Sequence, residues 1–143
     1  MNKKAEGFKQ YLAEKKIACF QVEELPQDKL NTVAFHSSVE VEGQRLPLVL
    51  LLDSSIYGIV RVLVARHALK PENEAELLRS VNALNRRYKA FKYYLDDEGS
   101  LVLDSCIMMP VGEANGGLIY TVLDVILRHL QAEYRPLMQK IWR

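Results

Sequence analysis

From Arg45 to Asp53 and from Tyr57 to Arg66 the chain is apolar almost without interruption. Leu48, Leu50 and Leu52 alternate with Val49 and Leu51, and Val60, Val62 and Val64 with Ile59 and Leu63. A strand with one wet face alternates apolar and polar residues; strands apolar on both faces are predicted to be central and covered twice. The helices of the domain supply the first cover. A chain of 143 residues has few helices left for the second, so a partner subunit is expected there. Thr32 to Glu42 alternates around Val33, Phe35, Val39 and Val41, although Ser37 and Ser38 blur it. Glu42-Gly43-Gln44 and Asp53 to Ser55 read as the turns between these three strands.

Helical spacing frames this meander. Residues 3–16 predict a first helix with Phe8, Leu12 and Lys15 on one face, the lysine stem covering apolar surface while its amine stays wet. From Ile17 the period changes, with Phe20 and Val22 on one side as in a short half-buried strand. Pro71 suits the first position of a second helix, followed by Glu72 and Glu74, with Leu77, Val81, Leu84 and Tyr88 as its stripe. Phe91, Tyr93 and Leu95 then alternate into the turn Asp97-Glu98-Gly99, where glycine supplies a positive φ, and Leu101 to Met108 returns. The segment from about Ala114 to Ile141 is the longest predicted helix, capped near Glu113 or Asn115, with Pro136 expected to kink or divide it. Beside its main stripe, Leu118, Val122 and Val125 make a second one, next to which lies His129. The predicted fold is α+β, a twisted antiparallel sheet with helices packed on it. Its order is α-β-β-β-α-β-β-α, with room for a short strand before the meander, in a single domain over residues 1–143.

Composition narrows the function more than it identifies one. The formal charge of +1 gives no global field to gather nucleic acid or anionic lipid. The longest apolar run, Leu46 to Leu52, is strand-sized and holds Pro47, which weighs against a membrane span. The basic start lacks a following apolar run, and Cys19 and Cys106 have neither metal nor redox spacing. Both are expected as buried free thiols in a reducing cytoplasm. His36, His67 and His129 are too scattered to nominate a metal site, so neither metal nor cofactor is expected. His129, beside an apolar stripe, could titrate at an interface. Asp96, Asp97 and Glu98 read as a polar turn, and Gly112, Gly116 and Gly117 lack the lysine and hydroxyl residue of a nucleotide loop. Arg86, Arg87, Lys89 and Lys92 near Phe91, Tyr93 and Tyr94 suggest single-stranded nucleic-acid binding only weakly beside the acidic turn. Asn82 and Asn85 share a side of the second helix. One amide of the pair is expected to bond backbone at the helix end or the neighbouring hairpin.

One stretch carries a family resemblance: Asn82-Ala83-Leu84-Asn85, then Phe91 and Tyr94-Leu95-Asp96, then Gly99, Leu101-Val102-Leu103 and a long closing helix. In these features the chain resembles the YbjN-like proteins, small bacterial proteins also called sensory transduction regulators. That resemblance implies the fold of the type III secretion chaperones and a non-enzymatic role with no catalytic residue to carry over. The chain departs from secretion chaperones in not being strongly acidic. The expectation is therefore a cytoplasmic homodimer that binds a protein or peptide. Leu118, Val122, Val125, His129 and Tyr93 are candidates for the partner or dimer interface, and Asn82, Asn85 and Gly99 for the structural motif. The alternatives are a small-ligand or single-stranded nucleic-acid module, or an enzyme with an unrecognised site.

Overall fold

A computed structural model describes residues 1–110 and 112–142. The chain runs α1 (Lys3–Glu14), β1 (Gln21–Glu24), β2 (Val33–Val41), β3 (Gln44–Leu52), β4 (Tyr57–Ala65), α2 (Glu74–Arg87), β5 (Lys92–Leu95), β6 (Leu101–Met108) and α3 (Gly116–Ile141). Among the described residues the strands form one antiparallel six-stranded sheet in the order β1-β2-β3-β4-β6-β5. β3 and β4 lie inside it, as their double apolar pattern requires. The short strand β1 is present but exposed along its whole length, not half-buried. Phe20, the residue before it, turns inward, its ring 5.7 Å from Phe8 and 6.5 Å from Phe35.

Alternation divides the sheet into two unequal faces. Phe35, Leu50, Leu52, Val60, Val62, Leu101 and Leu103 are fully enclosed with Phe8 of α1, Leu77 of α2 and Ile119, Ile126 and Leu130 of α3. One layer of helices thus covers one face. On the other face Val49, Leu51, Ile59 and Leu63 remain half-buried by their strand neighbours, with no helix above them among the described residues.

Local chemistry sets the element ends. Asn2 caps α1, its side chain accepting from the Ala5 N–H at 2.9 Å and donating to the carbonyls of Asn31 and Leu52. Lys15 lies exposed at the end of α1, so the expected covering lysine is a different one. Lys4 is 1 % exposed, with Nζ donating to the Ser55 and Tyr57 carbonyls at 2.7 Å each. The second helix begins at Glu74, three residues later than Pro71 suggested. Pro71 sits in a turn held by Asn73, whose amide accepts from Lys70 N–H and donates to Ala68 and Ile141 carbonyls. Asn115 caps α3, accepting from Leu118 N–H at 2.9 Å. Pro136 does not divide α3. It and Ala132, whose carbonyl loses its helical donor, both face solvent, where water can replace the bond. Gly99 has φ 74°, the left-handed geometry that closes the β5–β6 hairpin.

Candidate functional site

The five interface candidates separate into two places. Leu118 and Val125 are 41 % and 40 % exposed and Val122 is half-buried, so the second stripe of α3 does reach the surface. Tyr93 and His129 do not: they are 3 % and 7 % exposed and belong to the interior. The Tyr93 hydroxyl and His129 Nε2 are 2.7 Å apart, and Tyr88 and Phe91 pack on the imidazole at 4.4 Å and 4.3 Å between ring centroids. Helical phase explains the error, because His129 is placed on the side of α3 that meets α2 and β5. Its Nδ1 is buried and lacks a hydrogen-bond partner among the described residues. Burial holds the imidazole below its ordinary pKa against the nearby Glu133 carboxylate, which raises it, while Arg87 lowers it further. Burial likewise raises the Tyr93 phenol.

Of the motif candidates, Asn85 is half-buried at the end of α2, Gly99 is buried in the β5–β6 turn, and Asn82 is exposed. The Asn85 side chain accepts from Tyr93 N–H at 2.8 Å and donates to the Tyr93 carbonyl at 3.0 Å. One amide therefore reproduces both bonds of a neighbouring strand along the outer edge of β5. Lys92 completes the junction, its Nζ donating to the Asn85 and Tyr88 carbonyls at the end of α2.

The uncovered sheet face is the apolar surface that alternation leaves opposite the helices. Val49, Leu51 and Ile59 lie across its middle and Leu63 where β4 leaves β3, joined by Val102 of β6 and by Tyr94 of β5. At the centre Arg61 and Asp104 sit opposite each other in β4 and β6 and form a two-pronged pair, both N···O distances 2.9 Å. The bonds to Asp104 raise the Arg61 pKa further, and burial raises that of the Tyr94 phenol beside them. These two charges are the signal that sequence reasoning passed over, since each interrupts an otherwise apolar strand. On the helical side a groove of about 250 Å³ runs between α3 and β2 over Phe20, Leu48, Tyr120, Leu123 and Leu127. Burial pushes the Tyr120 phenol up to about 12, with the Cys19 thiol beside it.

The remaining chemical candidates do not assemble. Cys19 and Cys106 are exposed rather than buried, Cys106 because its position in β6 points to the bare face. His36 pairs with Glu23 at 3.0 Å on the surface. Among the described residues no three His, Cys, Asp or Glu side chains are grouped to hold a metal ion. Asp96 is a turn residue, accepting from the Glu98 and Ser100 N–H groups. The basic and aromatic cluster offers no stacking platform, because Phe91 and Tyr93 are core residues and only Tyr94 of the three is exposed. No helix of the described residues is long and apolar enough to cross a membrane.

Residues 9–137 match the protein family described as YbjN, "Putative bacterial sensory transduction regulator". No curated protein matches the sequence significantly. Among solved structures, a chain of the crystal structure of the ExsC-ExsE complex superposes with a TM-score of 0.60 at 15 % identity, over 96 % of this chain and 97 % of that one. That likeness shows the fold, an α+β arrangement of an antiparallel sheet with helices on it of secretion chaperone-like type.

Proposed function

The chain belongs to the YbjN family, and from that premise we propose that it is a non-enzymatic, protein-binding protein of chaperone-like type that works as a cytoplasmic homodimer. The observation that carries this reading is the apolar sheet face with no helix over it among the described residues. An antiparallel sheet can stand with one face in water, but that face is then ordinarily polar. Here β3, β4 and β6, roughly 4.8 Å apart and about eight residues long, offer on the order of 400 Å² of flat footprint, with β2 and β5 beside them. Their accessible area is larger, in the range of the ~800 Å² per partner of a standard interface. A second copy is the occupant that fits best. About a two-fold axis through its centre, the Arg61 of one protomer can approach the Asp104 of its partner, so one patch complements itself. The groove beside α3 and the stripe at Leu118, Val122 and Val125 then stay free for a protein segment with apolar anchors. The similar solved structure is, in its own name, a complex of two proteins.

Light scattering on the purified protein tests the dimer. A mass of two chains is expected, falling to one in the Ile59→Glu variant, whose charge would be buried without a partner. A monomeric parent protein, or a dimer indifferent to Ile59→Glu and disrupted by Val125→Glu instead, removes the sheet-face assignment.

A further inference from the structure

The ladder between β3 and β4 stops short of the end of both strands. It runs from Leu52/Gly58 to Leu48/Val62, whereas Gln44 to Pro47 remain paired only with β2, and Leu63 and Ala65 with β6 across an irregularity. Pro47 would be the next residue to pair with Leu63, and it has no N–H to donate. The irregularity at Leu63/Ala65 turns β4 aside at the same level. The two strands therefore part, and the gap is a cavity of about 310 Å³ with Tyr134, Met138 and Trp142 of the α3 end as its wall. A second space of about 410 Å³, under Glu42 and Arg135, shares Gln44 and those same three α3-end residues with it.

The gap is neither apolar nor neutral. The two-residue turn at Glu42 and Gly43, with φ 50° and 77°, makes Val41/Gln44 the closing pair of the β2–β3 hairpin. Gln44 and Leu46 then direct their backbone groups to β2, while Arg45 and the Pro47 carbonyl turn theirs to the missing partner. Arg45 and Arg66 form no ion pair among the described residues. The Lys70 ammonium rests 4.4 Å above the Trp142 ring, and Arg135 holds Glu42 at 3.0 Å. Among the described residues Arg45 and Arg66 line the gap itself, Arg135 and Glu42 line the space beside it, and Glu40 faces Arg45 across the ladder, so the lining carries more positive than negative groups. The carbonyl end of α3 adds a partial charge of roughly −0.5, too small to reverse the sign.

We propose that the parted ends of β3 and β4 form a binding slot for an extended acidic peptide. Its main chain continues the open ladder beside Arg45, its carboxylates meet Arg45 and Arg66, and an apolar side chain lies against Trp142. The slot rests on the reading of this protein as a protein-binding module, yet it lies at the end of the sheet and meets the proposed dimer face at Leu63, away from Ile59.

Trp142 is the single tryptophan of the chain and is 50 % exposed, so intrinsic fluorescence reports on the slot directly. The full-length protein is titrated with a blocked hexapeptide of alternating Glu and Leu, and with the same peptide carrying Lys in place of Glu. The acidic peptide is expected to give a saturable change that weakens with added salt, and the basic one none. The double variant Arg45→Glu, Arg66→Glu, its fold checked by circular dichroism, is expected to weaken binding at least about tenfold, the effect of losing one charge-assisted contact. Equal responses to both peptides, a response untouched by the double variant, or no saturation would each overturn the slot. So would ATP giving the same variant-sensitive saturation where the peptide gives none, since the site would then belong to a small anion. Light scattering on the same samples separates the two readings: an intact dimer that ignores the acidic peptide defeats the slot alone.

Discussion

Lys4, at 1 % exposure, has exchanged its hydration for the Ser55 and Tyr57 carbonyls, with the Asp53 carboxylate 3.9 Å away. Burial lowers its pKa and Asp53 opposes that. Lys4→Met keeps the stem but strands two part-buried carbonyls, and is expected to cost about 2–4 kcal/mol in urea unfolding. A loss within experimental error would mean that water replaces the ammonium. His129 is the opposite case, a titratable group held neutral. Its folded pKa lies below the ordinary 6.5, so the unfolded chain takes up the proton first. Stability is complete above about pH 6.5 and declines as the pH falls towards the lowered folded value. The urea midpoint should therefore drop between about pH 7.5 and pH 5.5 in the parent protein, and His129→Gln should flatten that slope. An equal slope in both would assign the acid sensitivity to other groups. Neither residue was legible in this role from sequence. Lys4 reaches its acceptors across some fifty positions and His129 finds Tyr93 across 36; no local period encodes such a meeting.

At the level of elements, the outer edge of β5 shows how an exposed strand is closed without another strand. The Asn85 amide pairs with both backbone groups of Tyr93, while Asn82, one turn earlier, faces water. Asn85→Ala should cost about 1–3 kcal/mol by leaving both groups of Tyr93 unpaired against α2. Asn82→Ala should stay within about 0.5 kcal/mol. Equal effects of the two substitutions would mean that the edge is held by packing alone. The helix position of this pair, and a bond from one amide to the hairpin, could be read from sequence because asparagine is out of place inside a helix. The hairpin turn at Gly99 and the cap at Asn115 were legible for the same reason, each residue type being suited to that geometry. The start of α2 was not, since Asn73 fixes the turn through bonds to Ala68 and Ile141, the latter 68 residues away. Pro47 inside a strand was a visible signal of the parted ladder, but only the register of β3 on β4 reveals that the opening lies between two interior strands.

For the molecule as a whole, the doubly apolar pattern of β3 and β4 placed them inside the sheet, where they lie, and it is the reason a second cover is proposed for the face that carries no helix among the described residues. It could not say which residues form the bare face, because that depends on the side the helices take. Nor did it weigh Arg61 and Asp104, which give the face its charge pattern. A dimer that closes this face is stabilised by mass action, since only the folded chain presents the surface. The thermal midpoint should therefore rise with protein concentration. A hundredfold increase corresponds to about 2.7 kcal/mol, which for a domain of this size is on the order of 5–10 °C. Ile59→Glu should lower the midpoint and make it independent of concentration, because closing the two sheets would strip its carboxylate of water. Arg61→Asp sets like charges against each other at the centre of the face and should dissociate the dimer, and adding Asp104→Arg should restore it by exchanging the two charges. If the parent midpoint stays constant over that range, the bare sheet stands in water in the native protein and its apolar residues need another account.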